Sequence, residues 1–403
     1  MHFCWCVPAD EPADTPQPLA FFFTSLTFYA TSAPKSRLSL SAISNVQRRI
    51  WNAALGEKRL LWEGGVIMGR PRRQIFSNRT YEICMRTRRG LPFMTTLYMQ
   101  LILESILARV QRDSKVIIDH IIWMANHVHI IIQAKDAAAC KNFYGEVQKQ
   151  ITEAMKRLLN LEHLNLWGSN TVSVVEIVGL DSVIERIAYL YANPARANLV
   201  DTIDAYPGMS SWNVFKTIPN TIDATHSQKC RWVRLPMISP LPALAVTPHQ
   251  DRHIVESMRA KTKTFHTLTY HPNAWMAEFG ITAPEAIAAI NARIVARIRE
   301  YEEEARQARL KKGWRVKGAA RLAREPINLS YKPARDSERI FVFALDKKVR
   351  IAKIAEFIAF TKRCEECYAR WREGDFTVKW PPGSFKPPQP NTANWFSDYP
   401  QAA

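Results

Sequence analysis

The chain is short of cysteine pairs, acids and long apolar runs. Its seven cysteines are an odd number and widely scattered, which suggests no disulfide framework and fits a reducing, cytoplasmic setting. Cys364-Glu365-Glu366-Cys367 stands alone, with no second pair at zinc-site spacing; in a helix the two thiols simply share a face. No transmembrane helix is visible, since Leu19 to Ala30 is apolar and aromatic but too short to span a bilayer. Asp10, Glu11 and Asp14 before it carry the wrong charge for the start of a signal peptide. Asp plus Glu number 37 against 55 Lys plus Arg, leaving a net charge of +18. That surplus favours a polyanionic partner, nucleic acid first and an anionic membrane surface second.

What is present organises into regions. At 403 residues, two or three domains are expected. Residues 1–67 begin Pro-rich and acidic, pass through a Ser-rich stretch, and read as a poorly structured extension. Met68-Gly69-Arg70-Pro71-Arg72-Arg73-Gln74 has the texture of a domain's natural beginning, so 1–67 is read as an over-long gene start. From there strands and helices alternate. Strands are expected at Thr80–Thr87, Val116–Met124, His127–Gln133 and Thr171–Val178. Helices are expected at Thr95–Asp113, from an Asp136 N-cap to about Asn160, and from an Asp181 or Ser182 cap to about Ala192. The order predicts an α+β domain over 68–217: a ferredoxin-like antiparallel sheet with helices on one side.

Residues 218–260, rich in Pro, Ser and Thr, read as a linker, and 261–403 as a mostly helical region of unassigned role. Pro284 to Lys312 carries an isoleucine stripe (Ile287, Ile290, Ile294, Ile298). It runs into a basic segment, Arg309 to Lys317, with an interleaved Trp314 and further arginines at 321 and 324. Such a run is ordinarily a solvated face; the tryptophan raises nucleic-acid contact as a second reading. A short strand at Ile340–Leu345, a helix at Lys348–Trp371 and an irregular tail from Trp380 complete the chain.

The stretch Val116 to Ile132 holds two β-branched runs around a short polar break. In a strand His127 and His129 project from one face and Val128 from the other. Two readings stand: ordinary buried histidines with hydrogen-bond partners, or a pair of metal ligands. The helix near 181–193 bears on the choice. Its apolar stripe is Ile184, Ile187, Ala188 and Tyr191, so Tyr189 and Asn193 lie together away from it, beside Arg186, on a face expected to be open. Pro194 disfavours helical geometry at Asn193, so the helix is expected to end there. An amide oxygen suits a hard cation and a tyrosine hydroxyl is a nucleophile, a combination suited to phosphodiester cleavage. His120, seven residues before His127, gains no such support and reads as structural.

Two motifs in this order resemble the HUH-type single-tyrosine transposases, and within them the REP-associated tyrosine transposases. They are Met124-Ala125-Asn126-His127-Val128-His129-Ile130-Ile131 and Tyr189-Leu190-Tyr191-Ala192-Asn193-Pro194-Ala195-Arg196-Ala197-Asn198-Leu199-Val200. Tyr206-Pro207-Gly208-Met209-Ser210-Ser211-Trp212 supports them, and the resemblance covers roughly residues 68–217. It implies an HUH-type nuclease domain with His127, His129 and Asn193 as ligands of Mg²⁺ or Mn²⁺ and Tyr189 as nucleophile. It also implies cleavage and rejoining of single-stranded DNA through a 5′-phosphotyrosine, at hairpins of REP type. The sequence departs from the family at Ala125, commonly Pro, Ala195, commonly Val, and Asn198, commonly Gly. The first strand also lacks a histidine often seen in relatives.

Arg70, Arg72, Arg73, Arg86, Arg88 and Arg89 are candidate DNA contacts, with Asn126 and Arg186 beside the core four. A monomer or homodimer in the cytoplasm, associated with the nucleoid, is expected. The alternative function is a domesticated DNA-hairpin-binding protein of the same fold that no longer cuts. A water-using phosphodiesterase and an RNA-binding regulator are further rivals. The regulator would want paired aromatics on sheet strands.

Overall fold

In a computed structural model of the chain, the described residues are 73–88, 90, 93, 95–241, 247–327, 329 and 340–387. The expected extension at 1–67, and Arg70, Arg72 and Arg89, lie outside them. The strands are β1 (Thr80–Thr87), β2 (Ile117–Met124), β3 (His127–Gln133), β4 (Trp167–Ile177), β5 (His226–Arg231), β6 (Phe265–Tyr270) and β7 (Val342–Phe343). The α-helices are α1 (Leu97–Ser114), α2 (Ala137–Leu158), α3 (Leu180–Arg196), α4 (Trp212–Thr217), α5 (Pro248–Lys261), α6 (Pro284–Lys311), α7 (Ala319–Leu322) and α8 (Lys347–Arg372). No helix of the described residues is long and apolar enough to cross a membrane.

The class is α+β, with a helical C-terminal region. Among the described residues the sheet has seven strands, in the order β5-β6-β2-β3-β1-β4-β7. Two expectations are corrected. The sheet is mixed rather than antiparallel, because β6 joins β2, and β7 joins β4, in parallel. Helices cover both faces rather than one. Val128, Ile130 and Ile132 of β3 pack with Tyr81, Ile83 and Met85 against α1 and α2. Ile131 packs with Ile122 and Met124 under α3 and α6. Residues 127–132 are accordingly all buried, and a central strand covered on both faces reads as a near-continuous apolar run.

Local chemistry explains the ends of several elements. Asp136 caps α2 as expected, accepting from the Ala139 amide at 2.7 Å. Thr96 makes no such bond at the start of α1. Instead the Asp251 carboxylate of α5 accepts from the amides of Leu97 and Tyr98 at 2.7 and 2.9 Å. The 218–260 stretch, expected to be irregular, thus contributes an edge strand and a helix that caps another helix at long range.

Helices α3 and α6 run side by side in the same direction, since their polar contacts advance together. Arg293 meets Asp181, Arg297 meets Glu185, and Arg309 donates to the carbonyl of Ala195. The isoleucine stripe of α6 is buried at this contact, with Ile287, Ile294 and Ile298 each 0% exposed.

Candidate active site

Strand pairing sets the two histidines in a defined frame. On β3, His127 lies opposite Arg86 of β1 and Met124 of β2, while His129 lies opposite Cys84 and Ile122. The imidazole centroids are 4.9 Å apart. Nδ1 of His127 is 2.7 Å from Oδ1 of Asn126, and Nδ1 of His129 is 2.7 Å from Oε1 of Glu82. Both partner oxygens are acceptors, so each Nδ1 carries the proton and donates. In a neutral ring donating from Nδ1, Nε2 is the nitrogen that carries the lone pair. A ring held at Nδ1 by an acceptor is how a metal-ligating histidine is usually oriented.

Charges reinforce this arrangement. Glu82 is buried, and burial alone would raise its pKa. The Arg186 guanidinium and the His129 hydrogen bond outweigh that and hold it down at about 2. Burial, then the neighbouring His129 and Arg86, push His127 well below the usual imidazole range, so it is neutral near pH 7. His120 is a separate case. Its Nδ1 meets the Tyr191 hydroxyl at 2.9 Å, that hydroxyl meets Ser211, and burial lowers its pKa to about 3.

The helix α3 brings Tyr189 over this pair, its ring centroid 6.4 Å from that of His129. The expected open face is not open: Tyr189 is 5% exposed. The ring of Tyr301, from α6, stands edge-on at 6.4 Å. The guanidiniums of Arg186 and Arg196 lie 4.9 and 5.0 Å from the Tyr189 centroid. Burial raises the tyrosine's pKa, and the two cations oppose the rise. Tyr191 points into the core, at 0% exposure.

Asn193 lies one turn beyond Tyr189 on the same side of the helix. It is buried, and its Nδ2 has no hydrogen-bond partner among the described residues. The expected helix end there is also corrected, because α3 runs through Pro194 to Arg196. Proline has no amide proton, so one helical hydrogen bond is missing, yet Ala197 still donates to the carbonyl of Asn193 at 2.9 Å. The chain turns at Asn198, whose φ of 56° is left-handed. Glycine takes that conformation freely and asparagine at small cost, which accounts for the departure at this position.

The remaining candidates divide. Asn126 is engaged with His127, and Arg186 is ion-paired with Glu82, its side chain 11% exposed. Both therefore hold the site's own residues rather than offering free groups to DNA. Arg73 donates to the Tyr144 hydroxyl and to the carbonyl of Val172. Arg86 sits beside His127 on the site face, and Arg88, two residues on, is exposed. The segment Tyr206 to Trp212 proves structural. The Tyr206 hydroxyl donates to the carbonyl of Trp123 at 2.7 Å, and Ser211 Oγ accepts from the Ile121 amide at 2.8 Å. A Cβ on Gly208 would lie 2.5 Å from the Tyr206 ring, so this clamp requires glycine.

Among the described residues no group of three or more His, Cys, Asp or Glu could hold a metal ion. A donor set at this site would be the two Nε2 atoms with the amide oxygen of Asn193, a nitrogen-and-oxygen set whose chemistry fits a divalent cation. Glu82, Arg196 and Tyr301 were not anticipated. A lone glutamate within the apolar strand Thr80–Thr87 was the available signal for the first.

No family model matches the chain, and no curated protein matches it. A solved structure of a REP-associated tyrosine transposase bound to a REP hairpin is distantly similar, at 21% identity and a TM-score of 0.32. The match covers 37% of this chain and 86% of that one. At that level the likeness carries no weight for function.

Proposed function

We propose that the chain is a metal-dependent, single-tyrosine DNA endonuclease and strand transferase acting on single-stranded DNA at hairpins of REP type. The observation that carries this reading is the convergence of a strand and a helix on one face. Two imidazoles with protonated, anchored Nδ1 atoms face a tyrosine flanked by two arginines.

When bound by His127, His129 and Asn193, Mg²⁺ or Mn²⁺ would supply Lewis-acid polarisation of a phosphate oxygen. The protein's own residues do the rest. Tyr189 Oη attacks the scissile phosphorus; the new O–P bond forms as the P–O3′ bond breaks, giving a 5′-phosphotyrosine and a free 3′ oxygen. The phenol proton leaves during attack, and the 3′ oxygen takes up a proton. Because one phosphodiester replaces another, the step reverses on a different 3′-OH without external energy. Arg186 and Arg196, on the Tyr189 ring, stabilise the anionic character that develops there. Glu82 and Asn126 act as positioning residues that fix the two imidazole tautomers. Arg86 and Arg88, running outward along β1 from His127, are placed to meet the DNA backbone.

The covering of Tyr189 by Tyr301 favours a second reading, a hairpin-binding protein that does not cut. One experiment separates the two. Full-length protein is mixed with labelled single-stranded hairpins and Mn²⁺, and denaturing gels are read for a covalent adduct. An adduct absent from Tyr189→Phe supports the enzyme. Tight binding without adduct across a panel of hairpins supports the binder, and strand cleavage that survives Tyr189→Phe points to water as nucleophile.

A further inference from the structure

The basic stretch after α6 is not absorbed by the active site. Residues 309–324 hold seven Lys and Arg and no acid. The structure sorts them. Arg309 is 4% exposed and is spent on the Asp201 carboxylate and the Ala195 carbonyl at the end of α3. Lys317 is paired with Glu325. Lys311, Lys312, Arg315, Arg321 and Arg324 have no ion pair among the described residues and are exposed. Trp314 is 42% exposed, with the Lys312 ammonium 4.5 Å above its ring.

This strap is fastened to the turn that follows the helix carrying Tyr189, and Arg309 just before it to the end of that helix. The amides of Lys317 and Gly318 donate to the carbonyls of Asn198 and Leu199 at 2.9 and 2.8 Å. The anchor of Arg309 on Ala195 lies about 9 Å along the helix axis from Tyr189, at 1.5 Å per residue.

We propose that the strap 310–324 is a second DNA-contact surface that holds single-stranded DNA flanking the Tyr189 site. The proposal rests on the DNA-processing reading above and extends it outside the motif-bearing region. Unpaired exposed cations suit backbone phosphates, and an exposed indole with a cation beside it suits a stacked, unpaired base. A duplex offers no free base face to Trp314, which is why the single strand is the occupant.

The test uses full-length protein carrying Tyr189→Phe, without metal, so that binding is read apart from cleavage. Fluorescence anisotropy follows a labelled single-stranded oligonucleotide across a salt series. Replacing Lys312, Arg315, Arg321 and Arg324 by Gln is expected to weaken binding. It should flatten the slope of log affinity against log salt by about 0.7 for each phosphate that is no longer neutralised. Trp314→Ala is expected to weaken binding about ten-fold with little change in slope. Lys261→Gln with Lys263→Gln, a charge change elsewhere, should alter neither. Unchanged affinity and slope in the quadruple variant overturn the proposal, and so does equal weakening on a blunt duplex. Losses confined to RNA or to anionic vesicles overturn it as well. Trp314→Ala, a single exposed change, keeps the test decisive if the quadruple variant folds poorly. Adduct formation by the unsubstituted protein is scored separately. A strap that binds in a protein making no adduct, or an adduct from a protein whose strap is idle, tells the two proposals apart.

Discussion

Replacing Glu82 by glutamine would remove one charge from the floor of the site and leave its shape nearly intact. The side chains of Glu82 and Arg186 are 2% and 11% exposed, so solvent screens this pair little. Breaking a buried pair by removing one partner strands the other charge and typically costs about 3–5 kcal/mol. A second route gives a similar size. A carboxyl moved from 4.5 to about 2 corresponds to about 3 kcal/mol at 1.36 kcal/mol per pKa unit. Glu82→Gln is therefore expected to lower the unfolding free energy by about 3 kcal/mol at pH 7, read from urea denaturation. The pH dependence follows from the sign of the shift. The folded pKa is depressed, so the stabilisation is present above pH 4.5 and lost as pH falls towards 2. The difference between parent and variant should close over that interval. Glu82→Gln combined with Arg186→Met should recover much of the loss, because no charge is then stranded. A cost below about 1 kcal/mol for Glu82→Gln, or one that does not shrink in acid, would refute the buried pair as described.

Asp251→Ala deprives two amides at the start of α1 of their acceptor, and removing a cap typically costs about 1–2 kcal/mol, checked by the same denaturation. Gly208→Ala drives a methyl into the Tyr206 ring and is expected to cost about 1–3 kcal/mol, read as a lowered melting temperature. His120, buried and depressed to about 3, must charge when the chain unfolds below pH 6.5. Its contribution is whole above that pH and declines as pH falls towards 3, so His120→Gln should reduce the steepness of acid destabilisation between those values.

The elements of the first half were legible because their signals are local. Alternation with period two put His127 and His129 on one face of β3, and Asp136 announced its helix by a bond three residues away. The α3 stripe of Ile184, Ile187, Ala188 and Tyr191 likewise marked the face turned to the core. The same period could not report what lies on the other face. There, Tyr189 meets Tyr301, far along the chain on α6, and Glu185 meets Arg297. A polar residue facing water and one facing a charged partner helix look alike in sequence.

The sequence by itself determined the chemistry available: a histidine pair, a tyrosine and an amide spaced to share surfaces, and a strand greasy enough to be covered on both sides. Only the tertiary structure decided which groups hold them. Glu82 reaches His129 because β1 lies beside β3, and Arg186 reaches Glu82 because α3 crosses that face of the sheet. Asp251 caps α1 from the stretch whose composition had suggested a linker. Propensity and periodicity act over a few residues, whereas pairing of buried charges and capping at a distance depend on where the folded chain returns.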